Sequence, residues 1–132
     1  MTNRILIVED NARNLRLLRA ALGGTEREIL EARTAEEGLH LARKARPDLI
    51  LLDIQLPGMD GCAVARVLKE RPETRDIPIV ALTALAMQGD RERVLSSGCD
   101  SYLAKPASPG QIRMTVNGLL ELESASRALI PA

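Results

Sequence analysis

Five short apolar runs, at residues 4–8, 28–32, 49–53, 79–82 and 102–104, alternate with longer stretches in which apolar residues recur at helical spacing. The third run, Leu49 to Leu52, is uninterrupted and too short for a buried helix, which suits a strand covered on both faces. Residues 28–32 (E-I-L-E-A) carry charge at their start and predict a weak edge strand. After the first run, Leu15, Leu18 and Leu22 lie on one helical face, and Gly23-Gly24 stops that helix. Thr34 and Glu37 have capping-box spacing and open a second helix, with Ala35, Leu39 and Ala42 inward and Pro47 closing it. A third helix is predicted from Cys62 to Glu70, with Val64, Val67 and Leu68 packing. A fourth spans residues 88–97 and carries few large apolar residues, so it is lightly anchored and ends at Gly98. The last starts at Ser108 or Pro109, turns Ile112, Val116 and Leu119 inward, and fades near Ser124.

Strand and helix alternating five times predict an α/β fold with an all-parallel sheet and helices on both faces. Right-handed crossovers then require one reversal of direction across the sheet. In the flavodoxin-like, doubly wound (βα)5 order 2-1-3-4-5, the reversal lies between strands 1 and 3, and ligands bind outside the carboxyl ends of such strands. Those two ends carry Glu9, Asp10 and Asp53.

Composition narrows the field without changing this outline. The chain has 132 residues, 45% apolar and 27% charged, consistent with one globular domain. Lys plus Arg and Asp plus Glu are 18 each, so nothing in the charge balance points to a nucleic-acid or membrane partner. No apolar run approaches the roughly 18 residues of a membrane span, and no amino-terminal signal pattern is present, so a cytoplasmic location is expected. Cys62 and Cys99 lack paired spacing and read as small reduced apolar residues. Tyr102 is the single aromatic residue.

Three carboxylates in one crevice repel one another, and a hard divalent cation such as magnesium relieves that repulsion. Asp53 alone could equally be an ordinary strand-to-loop residue, Asp10 a helix cap, Lys105 a solvated lysine and Thr83 a generic strand residue. Together, each at the carboxyl end of a strand, they form a set suited to phosphoryl transfer onto a carboxylate. Lys105 supplies a fixed positive charge and Thr83 a hydroxyl.

The motifs V-E-D-N at 8–11, D-I-Q-L-P-G-M-D-G at 53–61, A-L-T-A at 81–84 and Y-L-A-K-P at 102–106 resemble the receiver domain of two-component response regulators. The resemblance spans roughly residues 3–122. It is similar in particular to single-domain receivers of the DivK type and to receivers attached to hybrid kinases. It implies that Asp53 accepts phosphate from a histidine kinase or a histidine phosphotransfer protein. It further implies that Glu9, Asp10, Asp53 and the backbone carbonyl of Gln55 hold Mg2+. Thr83 and Lys105 would then contact phosphoryl oxygens, the Lys105–Pro106 peptide would be cis, and Thr83 and Tyr102 would act as a switch. The signalling face would include Leu85, Met87, Arg91 and Tyr102, and a bulky Leu85 would slow self-hydrolysis.

A receiver domain over 1–123, a short tail over 124–132 and no output domain are expected, with signalling by contact with a downstream protein, as a monomer or weak homodimer. Such a chain is not an enzyme beyond its own phosphorylation and dephosphorylation. Alternative readings are a phosphate-independent binding module and an Mg2+-dependent phosphatase with an aspartyl nucleophile, against which Gln55 stands where a second acid belongs. A nucleotide- or flavin-binding protein would need a first loop less acidic than E-D-N-A-R-N. A histidine phosphocarrier would have to use His40, the one histidine, on a charged helix away from the acids.

Overall fold

The β-branched and leucine-rich runs form strands β1 (Asn3–Val8), β2 (Arg27–Ala32), β3 (Leu49–Asp53), β4 (Ile79–Thr83) and β5 (Ser101–Ala104) in a computed structural model. The structure describes residues 3–23, 27–84 and 88–129. All pairings are parallel, in the order β2-β1-β3-β4-β5. Helices α1 (Ala12–Leu22), α2 (Ala35–Ala45), α3 (Gly61–Glu70), α4 (Gln88–Ser96) and α5 (Pro109–Leu129) complete the flavodoxin-like (βα)5 architecture. Leu85 and Met87 lie outside the described residues.

Alternation along each strand divides the core in two. Ile5, Ile7, Leu49, Leu51, Val80, Leu82 and Leu103 pack beneath α1 and α5. Leu6, Val8, Ile50, Leu52, Ile79 and Ala81 face the opposite side, with α2 and α3. The central strands β3 and β4 are buried at every position, whereas β2 is only partly covered, as its charged residues demand at an edge.

Local signals set the helix ends. The Asn11 side chain accepts the Asn14 N–H and caps α1, and Thr34 Oγ1 accepts the Glu37 N–H at 3.1 Å to cap α2. Glu37 returns to the Arg33 N–H rather than to that of Thr34, so the capping box closes one residue early. On α2, Ala35, Gly38 and Ala42 are buried while Leu39 is only partly so. On α3, Val67 is likewise half-buried, and Cys62 and Ala65 fill the core instead.

The last helix departs from the sequence expectation. It continues to Leu129 rather than fading at Ser124, because Ala125, Arg127, Ala128 and Leu129 favour helix and no glycine or proline intervenes before Pro131. Its start holds a full capping box that the sequence reading passed over. Ser108 Oγ accepts the Gln111 N–H at 3.1 Å, and Gln111 Oε1 accepts the Ser108 N–H at 3.0 Å.

Candidate functional site: an acid cluster held by one lysine

Sheet register assembles the site. Val8 pairs with Leu52, so Glu9 leaves β1 level with Asp53 at the end of β3. Thr83 pairs with Ala104, and the Lys105 N–H donates to the Thr83 carbonyl at 2.8 Å, placing Lys105 one step beyond β5. Side-chain parity then sorts these residues. Glu9 continues the alternation of Ile5 and Ile7, Asp53 that of Leu49 and Leu51, and Lys105 that of Leu103, so all three rise on the α1/α5 side. Thr83 follows Ile79 and Ala81, so it and Tyr102 belong to the other side.

Glu9 and Asp53 are 1% and 2% exposed, an unusual degree of burial for two acids. Lys105 Nζ reaches both, at 3.2 Å from Glu9 Oε2 and 3.0 Å from Asp53 Oδ2. The second oxygen of each acid is also engaged. Glu9 Oε1 accepts the Asn11 N–H at 3.2 Å and the Asn14 side-chain amide at 3.4 Å, and Asp53 Oδ1 accepts the Gln55 N–H at 2.9 Å. Asp10 is exposed, and a carboxylate oxygen from each of Glu9, Asp10 and Asp53 lies within 4.8 Å of the others. That donor set of hard oxygens, open to solvent through Asp10, could hold a small divalent cation.

The electrostatics reflect crowding. Burial first and then the Asp53 charge push the Glu9 carboxyl above its ordinary value, against the opposing pull of Lys105. For Lys105, burial disfavours the charged form, yet the hydrogen bond to Asp53 and the attraction of both acids outweigh it and raise its pKa. A single ammonium therefore neutralises only part of the negative charge gathered there.

Thr83 is buried at the end of β4, and the Lys105–Pro106 peptide is cis. Tyr102 is half-buried against the α2/α3 core, with the Arg91 guanidinium 5.2 Å from its ring centroid. His40 is exposed on α2 and takes no part in the cluster. Cys62 and Cys99 are both buried free thiols, and burial pushes the Cys99 thiol up to about 11. The sequence reading missed the two asparagines that support Glu9. Their signal was present, since Asn11 immediately follows the acids at a helix N-cap and Asn14 lies one turn on.

The response regulator receiver domain family model matches residues 5–117. The polar-differentiation response regulator DivK of Brucella ovis is 43% identical over 120 residues, covering 91% of this chain and 98% of its own, and that of Brucella anthropi matches equally. Among solved structures, the receiver domain of a signal transduction histidine kinase from Syntrophus aciditrophicus superposes with a TM-score of 0.83 at 35% identity, covering 91% of each chain. The receiver domain of a Pseudomonas aeruginosa sensor histidine kinase, whose structure has a magnesium ion coordinated in the active site cleft, gives 0.84 at 33% identity over 92% of this chain and 99% of its own. The chain belongs to the response regulator receiver domain family of two-component signalling.

Proposed function

We propose that this receiver takes a phosphoryl group onto Asp53 from a phosphohistidine of a histidine kinase or histidine phosphotransfer protein, and signals by contact with a downstream protein. The observation that carries the reading is Asp53 itself. It is buried at the carboxyl end of a central strand, with Lys105 on one oxygen and the Gln55 N–H on the other.

Glu9, Asp10, Asp53 and the Gln55 backbone carbonyl would hold Mg2+, and the donor chemistry fits, since three acids gather where one lysine pairs with only two of them, Glu9 and Asp53. Magnesium bound there supplies positive charge to the phosphoryl oxygens. The chain's own residues do the rest. A carboxylate oxygen of Asp53 attacks phosphorus, the P–N bond breaks, and the electron pair leaves with the donor imidazole. Lys105, anchored by Glu9, stays beside the oxygens that gain charge, and Thr83 offers its hydroxyl from the neighbouring strand. Thr83 and Tyr102 then act as the switch that reports the modification toward α4. No second acid stands at Gln55 to activate water, so the module works as a signal rather than as a turning-over phosphatase.

Residues 1–123 constitute the receiver in this reading, working in the cytoplasm as a monomer or weak homodimer. No helix among the described residues is long and apolar enough to cross a membrane. The test is incubation of wild type and Asp53→Asn with acetyl phosphate, with and without magnesium, read by intact-protein mass. One added phosphoryl group that requires magnesium and disappears in Asp53→Asn is the expected result. An adduct that persists in Asp53→Asn refutes the assignment.

A further inference from the structure

The loop that follows Asp53 is closed at both ends. At its start the Ile54 N–H donates to the Leu82 carbonyl at 3.0 Å and the Gln55 N–H to Asp53 Oδ1. At its far end the Gly61 N–H donates back to the Ile54 carbonyl at 3.0 Å. Ile54 and Leu56 are buried, so the loop is seated on the core between those ties.

Asp60 ends this loop and uses its carboxylate twice. Oδ1 accepts the Cys62 N–H at 2.9 Å and caps α3, while Oδ2 accepts from Arg93 Nη1 at 2.8 Å. Burial works against the charged carboxyl, but the Cys62 N–H and Arg93 outweigh it and hold its pKa below the ordinary value. Arg93 stands on α4, a helix with little other hold on the protein. Among the described side chains of α4 only Val94 is buried, and Arg91 lies against Tyr102. One carboxylate therefore ties the acceptor loop to the least anchored helix.

We infer that Asp60 and Arg93 are positioning residues for cation binding at the acceptor site, fixing the loop that carries Gln55 and coupling its geometry to the seat of α4. This rests on the reading of Glu9, Asp10 and Asp53 as a magnesium site. Coupling of this kind is reciprocal, so whatever displaces α4 lowers magnesium affinity, and bound magnesium favours the seated helix.

The experiment is calorimetric titration of the full chain with magnesium at low ionic strength, for wild type, Asp60→Asn, Arg93→Ala and the double variant. Asn caps helices as well as Asp, so Asp60→Asn keeps the α3 cap and loses only the ionic tie. Both single variants should raise the magnesium Kd roughly two- to fivefold, the range open to an exposed ion pair, and the double variant should add little to either. The sign for Arg93→Ala is decisive. A simple field effect predicts tighter magnesium binding when a positive charge is removed, whereas loss of positioning predicts weaker binding. Tighter or unchanged binding in Arg93→Ala, beside a wild type that binds, overturns the inference and leaves the magnesium site standing. A wild type without saturable binding overturns both.

Discussion

Replacing Lys105 with Met tests the electrostatic account of the site directly. The substitution keeps most of the side-chain volume and removes the cation between two acids that are 1% and 2% exposed. Two carboxylate charges no more than 4.8 Å apart repel by about 3.5 kcal/mol or more at an effective dielectric constant of about 20. The protein escapes this by protonating Glu9, whose carboxyl already stands above its ordinary value through burial and the Asp53 charge. From an unfolded pKa of about 4.3, holding that proton at about pH 7 costs roughly 3.7 kcal/mol, much the same as the repulsion. At about pH 5 the cost falls to roughly 1 kcal/mol. Release of the partly buried ammonium offsets some of the loss at either pH, so Lys105→Met should lose about 2–3 kcal/mol at neutral pH and well under about 1 kcal/mol near pH 5.

The direction of the pH dependence follows from proton counts. A carboxyl with a raised folded pKa binds protons more readily folded than unfolded, so stability is full below the unfolded value and falls as pH rises through the folded one. Lys105→Met raises the folded value further and widens that window upward from about pH 4.3. Urea denaturation of wild type and variant at both pH values measures the difference, and saturating magnesium should shrink the neutral-pH loss. An equal loss at both pH values, unaffected by magnesium, would refute the reasoning and assign Lys105 a packing role.

Three further substitutions probe close packing, a partly buried polar network and a helix cap in the fold that carries the site. A Cβ on Gly61 would lie 2.5 Å from the Asp53 carbonyl oxygen and 2.6 Å from Ile54 Cα, both backbone, so Gly61→Ala should cost about 2–3 kcal/mol and slow phosphorylation by acetyl phosphate; an unchanged urea midpoint would contradict the close approach. Lys69 Nζ donates to the Arg75 and Ile77 carbonyls and to Asp100, which in turn accepts the Ile79 N–H; Lys69→Met should therefore cost about 2 kcal/mol by urea denaturation without altering magnesium affinity. Ser108→Ala removes half of the α5 capping box and should cost about 1 kcal/mol, seen as faster hydrogen exchange in the first turn of α5, and uniform exchange across the helix would count against it.

What the sequence made legible is local or periodic. Strands β1, β3 and β4 could be read because a run of four apolar residues stops on a polar one, and β2 and β5 because shorter apolar stretches recur between the helical patterns; order 2-1-3-4-5 then placed Glu9, Asp10 and Asp53 together. Contacts that depend on two distant elements meeting left no such trace. Arg93 and Asp60 are separated by 33 residues and Lys69 and Asp100 by 31, and each reads alone as one more solvated charge. The length of α5 was misjudged for a different reason. Serines at 124 and 126 suggested a tail, but serine costs a helix only a few tenths of a kcal/mol per residue, which neighbouring alanines and arginine offset.

Parity shows why the candidate set divides as it does. Glu9, Asp53 and Lys105 rise on the α1/α5 side of the sheet, while Thr83 and Tyr102 follow the alternation of the side where α4 lies. In the proposed reading, a phosphoryl group on Asp53 would therefore arrive on one face and be reported on the other. Among the described contacts, two backbone routes cross the carboxyl edge: the Lys105 N–H bonded to the Thr83 carbonyl, and the loop from Asp53 to Asp60 that ends on Arg93. The first acts where β4 meets β5, next to Tyr102, and the second reaches α4 from the α3 side. Because Arg91 touches Tyr102 and Arg93 touches Asp60, the two routes converge on one helix that buries little of its own. If Thr83 and Tyr102 act as the proposed switch, weak apolar anchoring of α4 is what that switch needs, since two contacts of this size could not move a helix fixed by a full apolar face.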